Sequence, residues 1–312
     1  MIATVPLRRL SAVWIQVTGT WCNLQCTHCL NASGPLDPWL APMATADVER
    51  HVEHAARLGA REVYFTGGEP FLHPRILDLI AFSLERMPTT VLTNGTLITE
   101  RLADHLGDLA ARARYSLEVR VSLDDPDREA NDRVRGRGAF DRALQAIARL
   151  HRRGLPAMLT ATDLGTSVNG ETSLYERLRR LLLAAGVAKP RIKLLPLFPV
   201  GRTANGTAPP DAEEVEGYDL GRLQCVDSRT VTADGIYACP ILAGLPEARL
   251  TDMGGLAAGP PTPPTLGAAP GNPGRPSKYS DGVRLDRALG PVGLTHAACR
   301  VCVETGASCR NG

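Results

Sequence analysis

Three cysteines within eight residues, Cys22, Cys26 and Cys29 in "TWCNLQCTHCLN", are the first feature of this chain able to do chemistry. Thiols this close together hold metal or pair as disulfides. The opening "MIATVPLRRLSAVWIQVTGT" has two arginines but no apolar run of signal-peptide length, so the expected compartment is the reducing cytoplasm, where metal or catalysis is the commoner use. Four cysteines would saturate a [4Fe–4S] cube or a zinc ion, whereas three leave one coordination position open for a ligand. An open iron is a reactive iron.

The thiols need a rigid frame. From residue 12 to about 198, apolar runs of strand length alternate with amphipathic stretches of helix length. "AVWIQV" precedes a helix at 45–58, "EVYFT" one at 74–86, "TTVLT" one at 99–112, "LEVRVSL" one at 139–153 and "AMLTAT" one at 171–185, with "RIKLLPLF" closing the series. Six βα-type units with short connections predict an α/β fold with a parallel (β/α)6 sheet or barrel. Thr45 and Thr99 mark helix starts, and Gly59, Gly154 and Gly186 mark helix ends. In such folds the active site lies at the C-terminal ends of the strands, and the loop of Cys22, Cys26 and Cys29 directly follows the first strand.

Beyond residue 204 the character changes. "GRTANGTAPPDAEE" reads as a connector, "SRTVTADGIYACP" as a hairpin turning at Asp234-Gly235, and 254–278 as a Pro/Gly-rich low-complexity loop unable to pack a core of its own. The expected organisation is a barrel over 1–204 followed by a small, loop-rich α+β domain over 205–312. The 44% hydrophobic content is ample for a buried core. A net charge of +2 without basic runs argues against nucleic acid as a partner, and no stretch is long and apolar enough to span a membrane.

C-x3-C-x2-C after the first strand of a partial TIM-like barrel resembles the signature of the radical S-adenosylmethionine (SAM) enzymes. The resemblance covers most of residues 12–202. It implies that Cys22, Cys26 and Cys29 hold three irons of a [4Fe–4S] cluster, that SAM chelates the fourth, and that one electron from a flavodoxin or ferredoxin type donor cleaves SAM to a hydrogen-abstracting 5′-deoxyadenosyl radical. The alternative is a three-cysteine zinc site with a distant fourth ligand.

Other residues match the family in order. "TGGEP" resembles its Gly-Gly-Glu motif, which implies that Gly67, Gly68 and Glu69 face the SAM ammonium. His28 takes the position that packs near adenine, or is an ordinary loop residue. Asn94, Ser122 and Asp124 at strand tips match contacts to ribose and carboxylate. "NDRVRGRGAFDRAL" makes Arg135 a candidate for the SAM carboxylate, or else a solvated arginine. Leu195 in "LPLFPVGR" is expected against adenine, or in the core. Alternation places Glu118 and Arg120 on the face of Ser122, inside the barrel, as a structural ion pair or, less simply, as substrate contacts; the role of Asp125 stays open.

Cys225, Cys239, Cys299 and Cys302 resemble the ligand set of the Twitch extension, the shortened relative of the SPASM domain, and imply one auxiliary [4Fe–4S] cluster; a zinc ribbon is the alternative. Cys309 is left as a spare thiol near the C-terminus, a replacement within the quartet, or a hydrogen-atom donor. Two enzymatic readings follow. The first is dehydrogenation or epimerisation of a small polar metabolite of aminocyclitol, aminosugar or nucleoside type in antibiotic biosynthesis, motivated by the short stretch before the first motif. The second is a peptide maturase installing a thioether or other crosslink. A non-enzymatic iron–sulfur or zinc scaffold is a third reading, but it leaves Glu69, Asn94 and Ser122 at the strand tips unexplained.

Overall fold

The computed structural model describes residues 2–36, 38–165, 172–250 and 284–309. Strand β1 (Thr4–Val5) comes first, and β2 (Ala12–Gln16) is buried along its whole length, as a strand covered on both faces must be. It starts a parallel series with β3 (Glu62–Thr66), β4 (Thr89–Thr93), β5 (Leu117–Ser122), β6 (Met158–Asp163) and β7 (Arg191–Pro196), hydrogen-bonded in that order. These are the six strands expected from the sequence. The register Trp14↔Tyr64, Tyr64↔Thr90 and Thr90↔Glu118 carries one row of side chains across the sheet.

The helices α1 (Thr45–Arg57), α2 (Ile76–Leu84), α3 (Glu100–Arg112), α5 (Ala139–Arg152) and α6 (Leu174–Ala184) alternate with these strands. In α1 the buried set Val48, His51, Val52 and Ala55 follows the i, i+3, i+4, i+7 stripe that turns one face to the sheet. Thr99 caps α3 by accepting from the Leu102 N–H at 3.2 Å. Thr45 is not a cap: Ala44 holds that position with no side-chain bond. An extra helix, α4 (Arg128–Arg135), was not expected, because its polar sequence carries little apolar periodicity; Asp127 starts it by accepting from Ala130 N–H at 2.8 Å.

Alternate residues of β2 serve two cores. Val13 and Ile15, with Val17 just past the strand, pack with the helix stripes, whereas Ala12 and Trp14 join Tyr64, Phe198, Tyr237, Cys239 and Cys309 on the other face. Trp14 stacks on Tyr64 with centroids 4.0 Å apart. Glu118 and Arg120 pair at 3.0 Å, Arg191 also meets Glu118, and Arg120 donates to the Cys309 carbonyl.

The hairpin around Asp234-Gly235 forms as β8 (Ser228–Val231) and β9 (Ile236–Tyr237), antiparallel. β8 also adds in parallel to β2, so the sheet runs on past residue 204 and gives the β2 edge its hydrogen-bond partners. β1 pairs with β10 (Val292–Gly293), and α7 (Ala297–Thr305) ends the fold. The 254–278 loop lies outside the described residues. Among the described residues no helix is long and apolar enough to cross a membrane.

Buried His51 gives the fold a pH dependence. Burial, reinforced by Arg50 and His54, lowers its pKa from 6.5 to about 4. The unfolded chain therefore binds more protons between those values, and stability falls as pH drops through them. His51→Leu is expected to remove roughly 2 kcal/mol of the loss between pH 7 and pH 5. Urea midpoints of both proteins at the two pH values check this; equal losses would refute it.

Candidate functional site

The loop after β2 carries Cys22, Cys26 and Cys29 to the C-terminal end of the sheet. Donors are already aimed at two of the sulfurs. The Leu24 N–H reaches Cys22 Sγ at 3.4 Å, the Ser33 N–H reaches Cys29 Sγ at 3.3 Å, and Asn94 Nδ2 stands 3.7 Å from Cys22 Sγ. Burial pushes the Cys22 thiol up to about 12 and raises Cys26 as well. As thiolates they need a positive group at hand, and a bound metal cluster supplies one while releasing their protons. The donor set therefore fits an iron–sulfur cluster.

Neighbouring strand tips brace this loop. Gly67 and Gly68 follow β3 because the cysteine loop crosses directly above them: a Cβ on Gly68 would lie 2.0 Å from the Trp21 carbonyl oxygen, and one on Gly67 2.4 Å from Thr18 Oγ1. Gly68→Ala is accordingly expected to displace the loop and cut iron loading at the three cysteines by more than half, read as iron per chain after anaerobic reconstitution. Full loading would refute that close fit.

Glu69, expected to face the SAM ammonium, is fully buried, and its carboxylate accepts from Phe71 N–H at 3.1 Å, Thr93 Oγ1 at 2.7 Å and Asn94 N–H at 2.7 Å. Three of its four lone-pair directions are taken, so its evident work is to tie the tip of β3 to that of β4. Burial raises its pKa to about 7 against those three bonds.

Asn94 donates to Asn23 Oδ1 at 2.9 Å and accepts from Thr96, and Asn23 in turn donates to Thr96 Oγ1 at 2.8 Å. Asn94 thus stands against the cysteine loop. Ser122 is half-buried at the end of β5, and Leu195 on β7 packs on the inner core.

A buried charge group lies beside them. Asp124 meets Arg135 at 2.6 Å and 2.9 Å, His28 Nε2 at 3.2 Å and the Thr162 N–H at 2.8 Å. Burial alone would raise the Asp124 carboxyl, but Arg135 and His28 together hold it well below the usual range. Arg135 is the last residue of α4 and is buried, which overturns the solvated alternative. Its carbonyl accepts from the Cys26 thiol at 3.9 Å, and the Thr27 N–H donates to Val134 O at 2.9 Å, so α4 is attached to the cysteine loop.

Sequence reasoning missed Asn23, Thr93, Thr96 and Arg202. Arg202 donates to the carbonyls of Cys26, Ala32 and Ser33, strapping the loop from its far side. The signal was present in "VGR": Gly201, at φ +64°, brings that turn so close that a Cβ would sit 2.2 Å from the Leu30 carbonyl oxygen.

Cys225, Cys239, Cys299 and Cys302 line one partly open pocket with Leu223, Leu242 and neighbouring residues. Among the described residues no three His, Cys, Asp or Glu side chains close on a point tightly enough for a single ion; these four thiols share the lining of one pocket. Burial raises all four. Cys309 is not at a loose end. It is buried, its N–H donates to Gln224 Oε1 at 3.0 Å, and Lys193 and Arg120 act on its thiol.

A parallel, barrel-like α/β sheet whose first long strand runs into a loop of three cysteines has the layout of an iron–sulfur enzyme. Residues 17–182 match the Radical SAM superfamily, and the chain belongs to it. Membership brings the family's cofactors, SAM and [4Fe–4S] clusters. The chain is 30% identical over 234 residues to mycofactocin maturase MftC of Mycolicibacterium smegmatis, covering 72% of this chain and 56% of that protein. It is also 30% identical over 183 residues to the AdoMet-dependent heme synthase of Methanosarcina barkeri, covering 58% of this chain and 50% of that protein. It thus spans about half the length of these curated relatives. Its fold is similar to Streptococcus suis SuiB bound to precursor peptide SuiA, with TM-score 0.56, 17% identity, and 78% of this chain and 62% of that chain covered. Native anSMEcpe with bound AdoMet gives TM-score 0.56 at 18% identity, covering 77% and 76%.

Proposed function

We propose that this radical SAM enzyme matures a ribosomal peptide by abstracting hydrogen from one of its side chains. The observation that carries the reading is the extent of the likeness to a maturase: 72% of a 312-residue chain is more than residues 1–204 contain, so the similarity runs into the cysteine-bearing C-terminal part. The small-metabolite reading had rested on the short stretch before Cys22. That stretch carries no weight, since a recognition element can be a separate protein, and no aminocyclitol or aminosugar enzyme is among the relatives described.

In this reading Cys22, Cys26 and Cys29 hold the SAM-binding cluster, which with bound SAM supplies the hydrogen-abstracting radical. Asn94 and the Leu24 and Ser33 N–H groups steady two of those sulfurs. The Gly67-Gly68 backbone and the remaining lone pair of Glu69 take the SAM ammonium, Arg135 and Ser122 its carboxylate and ribose side, and His28 and Leu195 its adenine. Asp124 keeps Arg135 and His28 in place. Residues 205–312 form a Twitch/SPASM-like auxiliary domain in which Cys225, Cys239, Cys299 and Cys302 hold a second [4Fe–4S] cluster. Cys309, walled in between Gln224 and Arg120, is the chain's candidate thiol hydrogen donor.

The test supplies SAM, dithionite and short peptides encoded beside the gene, deuterated at side-chain carbons. Deuterium is expected in 5′-deoxyadenosine, with a matching mass loss in the peptide. Deuterium taken only from labelled aminocyclitols, aminosugars or nucleosides would overturn the peptide reading.

A further inference from the structure

One buried cation stands beside the second cysteine group without a counter-ion. Arg229, in the middle of β8, has no exposed surface. Its guanidinium donates to the carbonyls of Ala288, Cys225, Ser228 and Gly290, each at 2.7 Å. All four acceptors are neutral. Among the described residues no carboxylate meets it, whereas the other buried arginines have one: Arg135 has Asp124, and Arg120 has Glu118.

A buried charge without an opposite charge costs several kcal/mol, which a fold does not retain without compensation. The Arg229 guanidinium donates to the carbonyl of Cys225 itself at 2.7 Å, and Cys225 and Cys239 sit together on one pocket wall. Cys299 and Cys302 line the same pocket. Arg229 thus has its complement on the side where four thiolates would gather, and its bond to the Cys225 carbonyl fixes the backbone at that ligand.

We propose that Arg229 is the built-in counter-ion of the cluster held by Cys225, Cys239, Cys299 and Cys302 and that it raises that cluster's reduction potential. The inference rests on the auxiliary-cluster reading of this thiol set. Reduction adds one electron, and hence one negative charge, to a group that already carries four thiolates; no bond or proton moves, and a fixed cation favours the more negative state. Net charge and hydrogen bonding near the ligands are the levers that set such potentials.

The experiment uses the full chain carrying Cys22→Ala, Cys26→Ala and Cys29→Ala, so that only the second thiol group can hold iron. After anaerobic reconstitution, the one-electron midpoint is read by electron paramagnetic resonance during titration with dithionite. Arg229→Gln is expected to make reduction at least tenfold less favourable, a shift of 59 mV or more to lower potential, while Arg229→Lys stays within that span of the parent. Failure of Arg229→Gln to load iron, with Arg229→Lys loading normally, also supports the charge role. A parental midpoint in Arg229→Gln, or equal loss of iron from both variants, overturns it. No iron in the parent of the series removes the auxiliary-cluster reading itself, an outcome distinct from an unmoved midpoint.

Discussion

With Cys22, Cys26 and Cys29 all replaced by alanine, SAM cleavage to 5′-deoxyadenosine is expected to fall to the background of reductant alone, while about four irons per chain remain. The two halves of this result have separate origins. Cleavage needs an iron with an open position, and only a three-thiol set leaves one; the second group has four thiols around its own pocket. The remaining iron tests whether that pocket loads without help from the first site. Iron and sulfide content, Mössbauer spectra and quantified 5′-deoxyadenosine check both. Cleavage persisting above background would mean that the cysteine loop after β2 is not where SAM reacts. Loss of all iron would leave the radical chemistry in place but remove the auxiliary cluster and, with it, the role given to Arg229. Because burial holds Cys22 near 12, its iron must displace a proton, and loading in the unmutated chain should be fuller at pH 8.5 than at pH 6.5.

The frame of this site was legible because its signals are local. Strands such as "EVYFT" and "TTVLT" are continuous apolar or β-branched runs, and the stripe through α1 has a helical period. The three cysteines were legible for the same reason, being neighbours in the chain. What stayed hidden is long-range. Nothing in "SRTV" tells that β8 joins β2, because an edge's need for a partner names no partner. Asn94 and Glu69 were singled out as ligand contacts, yet their visible bonds join one strand tip to the next and to the cysteine loop. A motif records which residues surround a site without separating those that touch the ligand from those that set the loop. Arg202 was passed over since its partners are carbonyls up to 176 positions away. The burial of Cys309 was equally hidden, because Arg120 and Gln224, which bind its backbone, lie far from it in sequence.

The second large effect is expected at Asp124, which no bound group is needed to explain. Its carboxylate gathers Arg135 from α4, His28 from the cysteine loop and the Thr162 N–H from β6, so one side chain joins three segments, which in the proposed function flank SAM. Asp124→Asn preserves shape but leaves the Arg135 guanidinium buried beside a neutral amide, and removing one partner of a buried pair costs about 3–5 kcal/mol. Stability to urea should fall by that order, and SAM should bind more weakly because Arg135 and His28 lose their anchor. The sign of the pH dependence follows from the direction of the shift. A carboxyl held below its ordinary 3.8 stabilises the fold fully above that value and loses its contribution only as pH falls further. The part of the gap between parent and Asp124→Asn that this carboxyl's own protonation removes should therefore be lost only below pH 4, a window separate from that of His51. Asp124→Glu, which keeps the charge, should recover part of the stability and of the SAM affinity. A urea series with SAM titration on all three proteins decides it: an Asp124→Asn protein within about 1 kcal/mol of the parent and equal in SAM affinity would show that Arg135 and His28 are placed by something other than this carboxylate.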